Sequence, residues 1–235
     1  MYIYGVIAYD GTDFHGFQYQ VDVPTVQGML EDAVRAFSAV EGRVIGSGRT
    51  DAGVHATGQV VGVYAPWRHS VADFQRGWNA HLPSSICVHR SGLAPVSFHP
   101  RFSALSRTYR YTVLQPDVAN RETIPPRSPL SDRHALYVPR RLDVTAMNEA
   151  SARLLGEHDF ATFGQPPEGV NTVRCVTQAE WQWVTDESPT SLAFPVRKLV
   201  FTVTASAFLR QMVRNVVGSL LAVGTGRWSL EDFQQ

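Results

Sequence analysis

The apolar pattern of this chain changes period several times, and the order of those changes leaves few architectures open. Residues 2 to 9, Tyr-Ile-Tyr-Gly-Val-Ile-Ala-Tyr, are aromatic and β-branched and end at Asp10-Gly11, which predicts a strand and a turn. Thr25 then precedes Val26, Met29, Leu30, Ala33, Val34 and Phe37, an apolar stripe at helical spacing with Thr25 as its N-cap. Residues 43–47 and 59–65 read as two strands, 71–81 as a second helix and 85–90 as a further strand. The order βαββαβ is ferredoxin-like.

The second half repeats this order in part. Ser106 to Leu114 alternates as a strand, 143–155 is a helix, and Thr172–Arg174 with Ala179–Val184 forms a strand whose partner is Leu199–Ala205. Between them, residues 115–141 hold five prolines and no periodicity, which predicts a basic connection that is functional or mobile. The nearly continuous apolar run Ala207–Gly218 predicts a buried helix with Arg210 and Arg214 at i, i+4 on one face, each needing a carboxylate or phosphate partner. The expected fold is α+β. Two ferredoxin-like halves, 1–98 and 99–235, would share one extended, mainly antiparallel sheet with helices on one face, the second half lacking its last strand.

Composition bounds function through charge distribution. The 21 basic and 21 acidic residues cancel, but residues 99–141 carry eight arginines against three acids. From 197 to 227 there are four arginines and one lysine with no acid. Such segregation suits a polyanionic partner despite zero net charge. No 18-residue apolar run and no signal-peptide pattern is present, so a cytoplasmic protein without a membrane partner is expected. Cys87 and Cys175 lack zinc-ligand spacing and read as small buried hydrophobes.

The most concentrated polar chemistry lies between the strands at 43–47 and 59–65. Ile45–Gln59 contains four glycines, and Arg49 stands two residues before Asp51, so in extended backbone the two side chains share a face. Such a guanidinium would keep the carboxylate ionised and aimed. The glycine spacing fits neither a dinucleotide fingerprint nor a P-loop. The residues alone leave two readings open, a structural Arg–Asp pair and a catalytic carboxylate. Asp10 and Asp13, beside a glycine, read as turn residues rather than as a second acid or metal ligands.

As a string, Gly48-Arg49-Thr50-Asp51-Ala52-Gly53-Val54-His55-Ala56 resembles the signature of the TruA family of tRNA pseudouridine synthases. The segment Tyr9–Gln20 also resembles that family, with Phe17 where its pattern usually carries tryptophan, and Asn79–Pro83 and Gly156–Phe160 look like its corresponding segments. His158 and Asp159 gain no chemical role from the resemblance and read as capping residues at a helix end. The Arg-x-Tyr-x-Tyr of 107–111 is similar to the second family motif, and Ala207–Gly218 to the third. The likeness runs over essentially the whole chain, except that the family continues beyond the position of Gln235 with a final strand and an aliphatic side chain of the base pocket.

The resemblance implies Asp51 as the catalytic residue, Arg49 as its ionic partner, Tyr109 packing on the target base, and Arg214 approaching the aspartate. An aromatic face is what a flipped pyrimidine needs, although the residues alone also fit a half-buried core tyrosine. It further implies isomerisation of uridine in the anticodon stem-loop of tRNA, at positions 38, 39 and 40, by a homodimer with a basic cleft. Arg107, Arg110, Arg127 and Arg210 are the candidate RNA contacts, with Arg107 and Arg110 on opposite faces of their strand. The reaction involves no redox change, so no cofactor or metal is expected. Two other classes compete: a non-catalytic RNA-binding module, which conversion of uridine would exclude, and a small-molecule hydrolase, which predicts no RNA affinity.

Overall fold

Alternation in Tyr2–Tyr9 becomes alternation of burial in the computed structural model, which describes residues 1–39, 42–116, 127–166, 169, 171–185 and 196–234. The chain divides into two units, Met1–Leu105 and Ser106–Gln235, seven residues beyond the expected boundary at 98. The reason is local. Phe98 lies 6.2 Å from the Tyr2 ring and 6.4 Å from the Tyr4 ring, so the segment after the last strand of the first unit packs back on its own sheet.

The first unit runs β1 (Tyr2–Tyr9), α1 (Val26–Arg35), β2 (Ile45–Gly46), β3 (Ala56–Tyr64), α2 (Val71–His81) and β4 (Ile86–Leu93). This is the expected βαββαβ order, in a sheet ordered β2-β3-β1-β4 whose described pairings are all antiparallel. Thr25 caps α1 by accepting the Gly28 N–H at 3.2 Å, and Ser70 and Asp73 form a reciprocal capping box at α2. Ile3 and Ile7 of β1 meet Leu30 and Val34 of α1 and Phe74 and Trp78 of α2 in one core. Burial of each such side chain contributes roughly 1.5–3 kcal/mol, and the Trp78 indole also donates to the Leu30 carbonyl at 3.1 Å.

A buried carboxylate ties α1 to the approach of β2. Glu31, 2% exposed, accepts from Arg43 Nε at 2.9 Å, Arg35 Nη2 at 3.3 Å, Gln27 Nε2 at 3.0 Å and the Val44 N–H at 3.1 Å. A buried charge is tolerated when its lone pairs are filled in this way. Sequence periodicity gave no sign of it.

The second unit runs β5 (Arg107–Pro116), β6 (Leu136–Tyr137), α3 (Val144–Ala152), β7 (Gly156–Asp159), a 3-10 turn at Ala161–Phe163, β8 (Val173–Val184), β9 (Val196–Ala205), α4 (Met212–Gly224) and α5 (Leu230–Gln234). Its sheet is ordered β6-β5-β9-β8-β7 and is antiparallel except where β6 pairs with β5. The α+β class and the mainly antiparallel pairing hold. The described ladders form two sheets, one in each unit.

Three further differences have physical causes. Gly156–Asp159 pairs with β8 as a strand instead of only ending a helix: α3 stops at Ala152, and Gly156 at φ 100° turns the chain into the strand after the three-residue turn at 153–155. The predicted 115–141 connection lies partly outside the described residues; its remaining part holds β6, and Gln115 Oε1 accepts the Leu142 N–H at 3.1 Å. The helix predicted from Ala207 starts only at Met212, because Gln211 adopts φ 64° and interrupts the helical path.

Candidate active site

Two loops of the first unit are interlocked around Asp51. Upstream of it, the Thr50 hydroxyl lies 2.8 Å from Tyr9 Oη in the buried floor of the loop, and the Thr50 carbonyl accepts the Phe17 N–H at 3.0 Å. Gln59 extends this floor, taking a bond from Tyr9 Oη at 3.4 Å and donating to the Gly48 carbonyl at 3.0 Å. Downstream, the Asp51 carbonyl accepts the Val54 N–H at 3.2 Å, closing a turn whose Gly53 has φ 77°. Gly53 N–H reaches the Phe14 carbonyl at 3.4 Å, and Gly11 N–H donates to His55 Nδ1 at 3.1 Å.

The glycines of the first loop make this fit possible. A Cβ on Gly11 would run into the Val54 carbonyl, and one on Gly16, which has φ 96°, would sit 2.9 Å from the Thr50 carbonyl. Segment 10–17 therefore follows the Asp51 loop backbone to backbone. Asp10 is the turn residue expected of it, accepting from Thr12 N–H at 3.0 Å and Thr12 Oγ1 at 2.6 Å, and its carboxylate also lies 3.0 Å from His55 Nδ1. Tyr9, Thr50, Gln59 and His55 were not singled out by sequence reasoning. The signal available for them was the pair of glycines at 11 and 16, which mark close backbone approach.

Asp51 itself is half-buried, and Arg49 is exposed. Among the described residues no ion pair joins them, in contrast to the side-by-side arrangement that an extended backbone implies. The intervening Thr50 is pinned by its hydroxyl and carbonyl, and the chain turns at once after Asp51. The carboxylate thus stands on a loop braced on both sides, with no ion-pair partner among the described residues.

In the second unit Tyr109 lies on β5 opposite Val203 of β9, half-buried against the core. Phe208 meets its ring edge to face, with centroids 4.9 Å apart and planes at 86°. Arg107 is on the same face of β5 and donates to the Ser206 carbonyl at 2.8 Å, whereas Arg110 points to the opposite face and is exposed. Arg127 is paired with Asp132 at 3.0 Å.

Arg214 is exposed in the first turn of α4. Arg210 does not share a helical face with it, because it precedes the helix and forms a backbone bridge with Gln165, N–H to carbonyl at 2.9 and 3.4 Å. An arginine in the first turn gains nothing from the helix dipole, so Arg214 is not placed there by helix electrostatics.

Cys87 is exposed and Cys175 half-buried, contrary to the expected burial, since Cys87 alternates outward between the buried Ile86 and Val88. Among the described residues no group of three or more His, Cys, Asp or Glu side chains could hold a metal ion, and no helix is long and apolar enough to cross a membrane.

Comparison with known proteins agrees with the motifs. A family model described as tRNA pseudouridine synthase matches residues 6–103 and 150–235. The chain is 43% identical over 227 residues to a tRNA pseudouridine synthase A of Roseiflexus castenholzii, covering 97% of this chain and 78% of that one. It is 43% identical over 234 residues to that of Chloroflexus aurantiacus, covering 97% and 77%, and 40% identical over 227 residues to that of Bradyrhizobium diazoefficiens, covering 96% and 85%. The matched residues include the interlocked loops around Asp51 and the segment from Phe208 to Arg214, and on this likeness the chain belongs to the tRNA pseudouridine synthase family of isomerases.

Proposed function

We propose that this protein converts uridine to pseudouridine in the anticodon stem-loop of tRNA, at positions 38, 39 and 40, with Asp51 as the catalytic carboxylate. Family membership supports tRNA pseudouridylation. The observation that carries Asp51 is its setting: a half-buried carboxylate on a loop fixed on both sides, at Thr50 and at Gly53–His55, with no ion-pair partner among the described residues.

Pseudouridine formation breaks the N1–C1′ bond, turns the uracil and joins C5 to C1′; the C5 proton is lost and N1 gains one, so atoms and electrons balance without an external reagent. Asp51 is the nucleophile or base of that sequence. Tyr109, its ring steadied by Phe208, offers the half-buried aromatic surface on which the extruded base packs. Arg49 and Arg214 are exposed cations of the two motifs and serve the substrate phosphates or the aspartate once RNA is bound. The working form is a cytoplasmic homodimer.

Incubating unmodified tRNA with the protein and mapping pseudouridine by position tests this reading. Product confined to positions 38–40 is the expected result. Product at other positions overturns the site assignment, and absence of product with intact tRNA binding favours a non-catalytic RNA-binding protein.

A further inference from the structure

His55 lies four residues after Asp51, and its ring is turned back toward the first loop. Its Nδ1 accepts the Gly11 N–H at 3.1 Å and lies 3.0 Å from Asp10 Oδ1. One nitrogen meets both neighbours, so the imidazole is tied to the Asp10–Thr12 turn, which is itself locked by two bonds from Thr12 to Asp10 Oδ1 at 3.0 and 2.6 Å.

We infer that His55 is a positioning residue for Asp51, fixing the downstream half of the loop against the Asp10–Gly11 turn while Thr50 fixes the upstream half. This inference rests on the reading of Asp51 as the catalytic carboxylate. Upstream of Asp51 there are two anchors, Tyr9 Oη on the Thr50 hydroxyl and the Phe17 N–H on the Thr50 carbonyl. Downstream, the Gly53 N–H bond to Phe14 is long at 3.4 Å, and the Val54 N–H is spent within the Asp51 turn at 3.2 Å. His55 is the first residue after Asp51 whose side chain reaches outside the loop, to Gly11 and Asp10, and it is 29% exposed.

Gly11 adds a second, independent constraint. The Val54 carbonyl occupies the space a Cβ of Gly11 would take, so the two loops meet here without clearance. Loss of the His55 contact frees the Val54–His55 peptide to lift from Gly11, and the Asp51 turn moves with it through the Val54 N–H bond. A displacement near 1 Å at a reacting group costs on the order of 100-fold in rate. Binding of RNA phosphates, by contrast, does not depend on this contact.

The test uses the full chain and unmodified tRNA, with single-turnover conversion, tRNA Kd and thermal unfolding measured on each variant. His55→Asn places an amide atom where Nδ1 stands, whereas His55→Gln places it near Nε2, so the two variants differ in the contact that matters. The expected result is that His55→Asn stays within roughly threefold of the native rate, while His55→Gln and His55→Ala fall by about 10- to 100-fold with Kd within roughly threefold. His55→Gln reads the same contact if His55→Ala fails to fold. Equal rates for Asn and Gln, or a lower melting temperature with an unchanged rate per folded molecule, overturn the inference. Asp51→Asn run alongside separates the two claims: an active Asp51→Asn sinks the catalytic assignment, whereas an inactive Asp51→Asn with an active His55→Gln sinks only the role of His55.

Discussion

Tyr9 Oη lies 2.8 Å from Thr50 Oγ1 in the interior of the first unit, joining the last residue of β1 to the residue immediately before Asp51. The bond crosses 41 residues of sequence and places the loop on the sheet. A buried hydroxyl pair of this kind contributes about 1 kcal/mol, and leaving one partner unsatisfied costs somewhat more. Tyr9→Phe and Thr50→Val should each destabilise the fold by roughly 1–2 kcal/mol in urea unfolding. The double variant should lose less than the sum, because the two side chains share one interaction. Strict additivity would show that the bond contributes nothing of its own.

The motifs were legible in the sequence, and the way they brace one another was not. Alternation marked β1, and the apolar stripe after Thr25 marked α1, because periodicity reports which face meets the core. The 71–81 helix was found at its observed bounds, with Ser70 and Asp73 closing its start. What escaped were interactions between residues far apart in sequence: Glu31 with Arg43, Tyr9 with Thr50, and Gly11 with His55. Arg210 was misplaced because a single left-handed residue, Gln211, leaves no periodic trace. Asp51, Tyr109 and Arg214 were singled out from motif strings, which report chemistry directly and packing not at all.

Acid sensitivity should come in part from turns and caps. The Ser70 hydroxyl holds the Asp73 carboxyl below the usual range, aided by Arg76, and the Thr172 side chain followed by the Ala161 N–H does the same for Asp159. A carboxyl with a depressed folded pKa contributes stability above its unfolded pKa and loses it as pH falls through the folded value. Unfolding midpoints should therefore drop as pH goes below about 4. Asp73→Asn and Asp159→Asn should each flatten that drop, and an unchanged profile in both would contradict these roles.

The rings of Tyr109 and Phe208 meet edge to face, with centroids 4.9 Å apart. If the face of the Tyr109 ring carries the uracil, Tyr109→Phe should retain most turnover, and Tyr109→Ala should fall roughly 5- to 100-fold further, given roughly 1–3 kcal/mol for a stacked base. Equal loss in both variants would give the working role to the hydroxyl, for instance in removing the C5 proton.

The arginines should divide by what already holds them. Arg110 is exposed on the face of β5 away from the core, whereas Arg127 is paired with Asp132 at 3.0 Å. Arg110→Ala should weaken all tRNAs alike and reduce the salt slope of binding by about one. Arg127→Ala should change it less, since its charge is already matched. A slope change as large for Arg127 as for Arg110 would mean that the Asp132 pair opens when RNA binds.

Asp51→Asn keeps the shape of the side chain and removes its capacity to act as nucleophile or base. Single-turnover conversion of uridine in unmodified tRNA, measured beside tRNA Kd, should show a fall of several orders of magnitude in rate with Kd nearly unchanged. Conversion by the Asn variant within tenfold of the native rate would place the chemistry on another residue.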